Sequence, residues 1–200
     1  MLNSPRIKTF SVFTSLSGRI KNYLMMKRIE IALIISISFS FVANAQNLKW
    51  HTLEEAVALN KENPKKIMID FYTSWCGWCK KMDANTFNHP AIVDAFNKYF
   101  YVVKFNAESK EEVEFGGTTY KNVGQGRSTH MYAATYASLD GRIGYPTIVF
   151  FDESFSRLSV EPGYKDAKSL EPLLHYIGTN KYKSISYTDF LKTFNSSISQ

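Results

Sequence analysis

The chain has 200 residues, of which 44% are hydrophobic and 15% aromatic. This composition excludes a disordered protein and suits one globular domain with its own hydrophobic core. The net charge of the chain is +6, and residues 1–45 contribute most of it, with six basic residues and a single acid. The remainder, 46–200, carries 18 basic and 17 acidic residues, a net charge of +1. This balance argues against a surface for nucleic acid.

Residues 1–45 have the layout of a secretory signal peptide. A basic pair precedes an apolar run over 31–42, which ends in small residues, and we predict cleavage after Ala45. The run is short and interrupted by serines, so it is a poor membrane span. We expect no stable membrane insertion of the protein after cleavage. An uncleaved N-terminal anchor is the alternative. If translation starts at Met25 or Met26, residues 1–24 lie upstream of the protein.

The rest of the chain alternates between helical and strand patterns. Helices are predicted over 52–63, 76–83, 90–98, 129–138 and 169–177, with a short one near 188–194 in the tail 179–200. Strands are predicted over 67–72, 101–105, 147–151 and 156–161. This alternation, ending in a hairpin, predicts an α/β domain in three layers.

Local signals define several of these elements. Thr52 and Glu55 fit a capping box at the first helix. Ser169 is predicted to cap the last long helix, which places Pro172 in its first turn and Gly178 at its stop. The polar, glycine-bearing segment 107–127, with its acidic cluster, is predicted to be an extended loop.

The chain has two cysteines, Cys76 and Cys79. A disulfide between them would close a very short loop and add little stability, so the pair is better explained by chemistry. At a helix start, backbone N–H groups and the helix dipole lower the pKa of the Cys76 thiol. Its thiolate can attack a substrate disulfide, and Cys79, one turn away, can resolve the mixed disulfide.

Structural zinc is the alternative for this cysteine pair. Zinc usually needs four ligands, and the chain has no second cysteine pair. The histidines have no spacing that completes such a site: His51, His89, His130 and His175. We therefore predict neither a metal nor another cofactor.

Two further residues stand out near the cysteines. Asp70 interrupts an apolar strand, where it is either exposed at a strand edge or buried. A buried carboxyl would have a raised pKa and could accept the proton of Cys79, with Lys104 on the next strand tuning it. Pro146 precedes a strand, either as an ordinary turn proline or as a cis proline that exposes the backbone of Tyr145 for substrate docking.

Four separate motifs resemble those of the thioredoxin family. Segment 69–80 resembles the active-site segment, including the buried Asp70 and the tryptophan before the first cysteine. Residues 144–147 are similar to the cis-proline loop of the family. Lys104 stands where thioredoxins place the lysine beside the buried aspartate, and Gly163 resembles the glycine of a loop that rims the active site.

The resemblance covers about 48–178. It is closer to exported bacterial thioredoxin-like proteins and the C-terminal domain of the thiol:disulfide interchange protein DsbD. The shared features are Cys-Lys-Lys-Met at 79–82, Thr-Phe at 86–87, Pro90 and the run 146–152.

The resemblance implies a thioredoxin fold over 46–178, in which helices flank a central mixed β-sheet. The implied catalytic residues are the attacking Cys76, the resolving Cys79, the proton-handling Asp70 and the neighbouring Lys104. The implied substrate-binding residues are Trp75, Gly77, Trp78, Tyr145, Pro146 and Gly163. The implied partners are disulfide-containing protein substrates and a membrane thiol reductase as electron donor, in the periplasm or outside the cell.

Two departures from the family pattern bear on function. Trp78, between the cysteines, offers no charge to a thiolate and favours a reductant or isomerase over a strong oxidant. The insertion 107–127 is either a solvated loop or a segment that selects partners. Two other functions stay open: a thioredoxin-fold binding or chaperone module, and a disulfide isomerase, for which we see no dedicated dimer segment.

Overall fold

The computed structural model describes residues 48–198, together with Tyr23, Met25 and Lys27, which are helical. The chain divides into two compact units, 1–45 and 46–200. The expected cleavage point after Ala45 lies outside the described residues. Among the residues that are described, no helix is long and apolar enough to cross a membrane.

The unit 46–200 alternates strands and helices as the sequence predicts. The strands are β1 (Trp50–His51), β2 (Lys66–Tyr72), β3 (Phe100–Asn106), β4 (Val113–Phe115), β5 (Thr118–Tyr120), β6 (Thr147–Phe151) and β7 (Arg157–Pro162). The α-helices are α1 (Leu53–Glu62), α2 (Gly77–Met82), α3 (Pro90–Tyr99), α4 (Met131–Tyr136), α5 (Ala167–Gly178) and α6 (Tyr187–Thr193). A π-helical turn, Asp83–Phe87, links α2 to α3, and a 3-10 turn, Lys181–Lys183, follows α5.

Five strands form a mixed sheet in the order β1-β3-β2-β6-β7. Strands β1 and β2 each pair with β3 in parallel, while β6 is antiparallel to both β2 and β7. Strand β2 therefore lies in the middle, which explains its continuous apolar run, since both of its faces are covered. Strand β1 was not predicted, because two residues are too few to show an alternating pattern.

Helices cover the sheet on both sides. One buried cluster joins Ile69 and Phe71 of β2 to Ala56 of α1 and Tyr132 of α4. The other cluster lies on the opposite face and joins Met68 of the same strand to Phe96 of α3, Phe150 of β6 and Leu174 of α5. Alternate side chains of one strand thus feed two cores, and the predicted three-layer α/β architecture is confirmed.

The prediction of an extended loop over 107–127 is wrong in its central part. Strands β4 and β5 form an antiparallel hairpin there, with a turn at Gly116 and Gly117, whose φ angles of 58° and 77° suit glycine. Phe115 is fully buried against aromatic rings of α4 and β6. Strands of three residues, Val-Glu-Phe and Thr-Thr-Tyr, are too short for their alternation to be read from sequence.

The start of the last long helix also differs from the prediction. Asp166, not Ser169, caps α5, because its carboxylate accepts a hydrogen bond from the Ser169 N–H at 2.8 Å. Pro172 therefore lies inside the helix rather than in its first turn. Gly178 is the last helical residue, and its missing Cβ matters, since one would lie 2.4 Å from the Tyr99 ring.

Candidate active site

The cysteine pair lies where the central strand leads into a helix. After β2, the Cys76 N–H donates to the Thr73 carbonyl at 3.1 Å, which closes a tight turn. Cys76 is the N-cap of α2, and its Sγ accepts a hydrogen bond from the Cys79 N–H at 3.0 Å. The two cysteines form a disulfide with an S–S distance of 2.03 Å, so the structure shows the oxidised form.

The carboxyl of Asp70 is buried in β2, with a relative exposure of 1%. Its strand neighbour in β3 is Lys104, whose Nζ lies 3.5 Å from Oδ2. Burial raises the pKa of Asp70 to about 7, while the charge of Lys104 lowers it and that of Asp83 raises it. The expectation of a buried carboxyl with a raised pKa is confirmed, and the exposed strand edge is excluded.

Lys104 is shared between two carboxylates and three rings. Its ammonium forms an ion pair with Asp83 at the start of the π-helical turn. It also lies 5.1 Å from the ring centroids of Trp50 and Tyr72 and 5.8 Å from that of Phe87. Asp83 was not among the predicted site residues, although its place four residues after Cys79 was a signal, since a helix brings such positions to one face.

A continuous rim of residues in contact with one another leads from Gly163 to Trp75, the residue before Cys76. The Tyr145–Pro146 peptide bond is cis, as the resemblance implies. The Pro146 carbonyl accepts a hydrogen bond from the Gly163 N–H at 2.8 Å. On the other side, the Tyr145 ring packs edge-on against Trp75, with centroids 6.2 Å apart. The structure therefore brings together four of the six expected substrate-binding residues through successive contacts.

The other two expected substrate-binding residues belong to α2. Gly77 is its exposed first residue. The Trp78 ring packs against Tyr164, with centroids 5.4 Å apart, and Lys81 Nζ lies 4.8 Å from the centroid of the same tryptophan. Tyr164 and Lys81 were missed, although Tyr164 follows Gly163 directly and Lys81 is three residues from Trp78.

The insertion reaches the same rim. The Trp75 indole N–H donates to the Glu108 carboxylate at 3.0 Å, and the Arg127 guanidinium lies 5.7 Å from the ring centroid. These two residues stand at opposite ends of segment 107–127. Nothing local in the sequence indicates either contact, because each joins residues far apart in the chain.

No metal site emerges from the part of the chain that the structure describes. Within 48–198, no group of three or more histidine, cysteine, aspartate or glutamate side chains could hold a metal ion. Two of the histidines cap helices instead. His89 Nδ1 accepts from the Ala91 N–H in α3, and His130 Nδ1 accepts from the Tyr132 N–H in α4.

Proteins of known type are similar in sequence to parts of this chain. A DsbD thiol:disulfide interchange protein of Vibrio vulnificus strain YJ016 is 30% identical over 78 residues, which are 39% of this chain and 12% of that protein. The disulfide bond reductase DsbH of Chlamydia pneumoniae is 27% identical over 123 residues, covering 60% of this chain and 67% of that protein. The chain thus spans about a tenth of the length of the DsbD relatives that it matches.

Solved structures with a similar course of the chain include a DsbH oxidoreductase, with a TM-score of 0.45 and 21% identity over 74% of this chain and 87% of that one. Another is a thioredoxin-fold protein from Helicobacter pylori, with a TM-score of 0.49 and 20% identity over 65% and 80%. The family model described as a thioredoxin-like domain matches residues 53–178. The expected thioredoxin fold and the family resemblance are confirmed, and the chain belongs to the family of thioredoxin-like domains.

Proposed function

We propose that the protein is an exported thiol–disulfide oxidoreductase that reduces disulfide bonds of other proteins. The observation that carries this proposal is the Cys76–Cys79 disulfide at the start of α2. This helix start follows β2, the strand that holds the buried Asp70. A binding or chaperone module would need neither the cysteine pair nor a buried carboxyl of raised pKa.

The reaction begins from the dithiol form of the pair. The Cys76 thiolate attacks one sulfur of a substrate disulfide, forming a mixed disulfide and releasing the other substrate sulfur as a thiolate. Cys79 loses its proton and attacks Cys76 Sγ, which releases the second substrate thiol. Two electrons pass to the substrate, and the cysteine pair ends as the disulfide that the structure shows.

Asp70 is the proposed acceptor of the Cys79 proton. A carboxyl with a pKa of about 7 exchanges protons readily near neutral pH, whereas an ordinary carboxylate is too weak a base. We propose that Lys104 tunes this base, because its ammonium lies 3.5 Å from the Asp70 carboxylate while also pairing with Asp83.

The surroundings of Cys76 favour reduction of substrate disulfides over their formation. Among the described residues, its sulfur accepts one hydrogen bond, from the Cys79 N–H. Trp78, which separates the cysteines with Gly77, brings no charge to the thiolate. A strong oxidant such as DsbA has a potential of about −120 mV because its reduced form is stabilised. Here neither residue between the cysteines adds a charge to the stabilisation that the helix start gives the Cys76 thiolate.

The proposed location is the periplasm or the exterior of the cell. The layout of residues 1–45 as a signal peptide supports it, as do relatives whose names are those of disulfide bond reductases and thiol:disulfide interchange proteins. After each cycle the disulfide must be reduced again, and we propose a membrane thiol reductase as the electron donor.

Reduction of insulin disulfides by the purified unit 46–200 tests the activity. We expect turnover with dithiothreitol as the electron source, and none from Cys76→Ser, which lacks the attacking sulfur. Cys79→Ser should instead accumulate a mixed disulfide at Cys76, and mass spectrometry of the trapped proteins would identify substrates. A Cys76→Ser protein with full activity would contradict the proposal.

A further inference from the structure

Two exposed tryptophans belong to the cysteine segment, Trp75 directly before Cys76 and Trp78 directly before Cys79. Trp75 has a relative exposure of 52% and Trp78 of 58%. Each ring packs against a tyrosine from a different loop, Tyr145 in one case and Tyr164 in the other. The segment of the two cysteines therefore carries two aromatic walls, Trp75 with Tyr145 and Trp78 with Tyr164, built from separate parts of the chain.

A cation lies against each of these walls. The Arg127 guanidinium is 5.7 Å from the centroid of Trp75, and Lys81 Nζ is 4.8 Å from that of Trp78 and 5.4 Å from that of Tyr164. Over residues 48–198, neither cation forms an ion pair with a carboxylate. Both side chains are exposed, so both charges are open to a bound partner.

The carboxylates near these walls are already engaged. Glu108 accepts the indole N–H of Trp75 at the edge of the ring, whereas Arg127 lies over its face. Glu161, which lines a cavity together with Tyr164, pairs with Lys165 at 3.3 Å. Glu108 keeps its negative charge, because the indole N–H that it accepts is neutral. The three cations beside the walls, Arg127, Lys81 and Lys165, still outnumber the two carboxylates, so these side chains present a net positive charge to a partner.

We propose that this rim selects disulfide-bearing partners whose reactive cysteine is flanked by acidic residues. Carboxylates of the partner would contact Arg127 on one side and Lys81 on the other, while apolar side chains pack on the two indole rings. The inference rests on the function proposed for the same site. It gives the insertion a role in choosing substrates, because Arg127 belongs to segment 107–127.

Two matched peptide disulfides test this selectivity. Both have the same cysteine and apolar residues, and the cysteine is flanked by glutamates in one and by lysines in the other. The reduced full chain is mixed with each peptide, and the second-order rate constant is followed by tryptophan fluorescence. We expect the glutamate peptide to react faster, with an advantage that shrinks as salt is raised, since exposed charges are screened over about 10 Å at 0.1 M.

Substitution of the two cations should remove the preference. Exposed charge pairs of this kind change rates by about two- to fivefold each, so Arg127→Gln and Lys81→Gln should slow the glutamate peptide by that factor. Arg127→Glu should speed the lysine peptide, a gain that misfolding does not produce. The matched control is Lys61→Gln, an exposed cation in α1 without contact to either tryptophan, which should leave the preference unchanged.

The outcomes separate this inference from the proposed function. Equal rates for the two peptides in the wild-type protein, or an unchanged preference in both Arg127→Gln and Lys81→Gln, would overturn the selectivity while reduction itself stands. Failure of the wild-type protein to reduce either peptide, or a third peptide with uncharged flanks, would overturn the proposed function.

Discussion

The buried carboxyl of Asp70 gives the protein a pH-dependent stability that one substitution should remove. Burial raises its pKa to about 7, whereas an unburied aspartate ionises near 3.8. Between these values the native protein keeps a proton that the unfolded chain has lost, so rising pH favours unfolding. From this group alone, the free energy of unfolding should fall by about 1.4 kcal/mol per pH unit across that window.

Across the whole window the loss amounts to about 4 kcal/mol, a large part of the roughly 5–15 kcal/mol that stabilises a typical domain. Asp70→Asn keeps the shape of the side chain but cannot ionise, so it avoids this loss. We expect the variant to match the wild-type protein near pH 4 and to exceed its stability by up to about 4 kcal/mol at pH 8.

Urea unfolding of the oxidised proteins between pH 4 and pH 8, followed by tryptophan fluorescence, measures this difference. Burial lowers the pKa of three histidines, which makes them contribute in the opposite direction: His51, His130 and His175. They are common to both proteins and cancel when one curve is subtracted from the other. Asp94→Asn, at an exposed carboxyl of α3, is the matched control. A flat difference curve for Asp70→Asn would refute the reasoning.

Three other substitutions test the surroundings of the site and the core. Asp83→Asn should lower the pKa of Asp70, because it removes a neighbouring negative charge and leaves the shared ammonium to one carboxylate; an NMR titration that shows no change would contradict this. Phe115→Ala should cost about 3–5 kcal/mol in urea unfolding, since the ring is fully buried, and a loss near zero would mean that the hairpin is not part of the core. Glu171→Gln should weaken by about 1 kcal/mol the hydrogen bonds that the Ser197 N–H and hydroxyl donate to this side chain. Amide exchange of the C-terminal segment should then be faster, and unchanged exchange would show that other contacts hold the segment.

The parts of the fold that sequence predicted well are those with a strong local signal. The apolar run of β2 is typical of a buried strand, and Thr52 with Glu55 formed the expected capping box. Cys76 was expected at a helix start and is the N-cap of α2. In each case the deciding interactions join residues that are close in the chain, or depend on hydrophobicity alone.

The parts that sequence missed depend on contacts between distant segments. Val113 and Phe115 are buried because their strand packs on distant segments, α1 before it and α4 and β6 after it, and no period in an acidic cluster of this length indicates that. The hydrogen bond from Trp75 to Glu108 also joins distant segments. A glutamate that accepts such a bond cannot be distinguished in the sequence from one that faces only solvent. Asp166 and Ser169 are both good capping residues, and only the packing of α5 selects the first.

The fixed geometry of the insertion connects the core to the choice of partner. The Asn122 side-chain amide donates to the carbonyls of Ser109 and Ser128 at 2.9 and 2.8 Å, which ties the two ends of the loop together. Phe115 anchors the intervening hairpin in the core. Arg127 is therefore presented on a segment that is ordered before any partner arrives, so a partner does not bear the entropy cost of ordering it. A freely solvated loop would carry the same charge but would lose much of its binding free energy to that ordering, which is why the buried hairpin, rather than the charge alone, supports a role in selection.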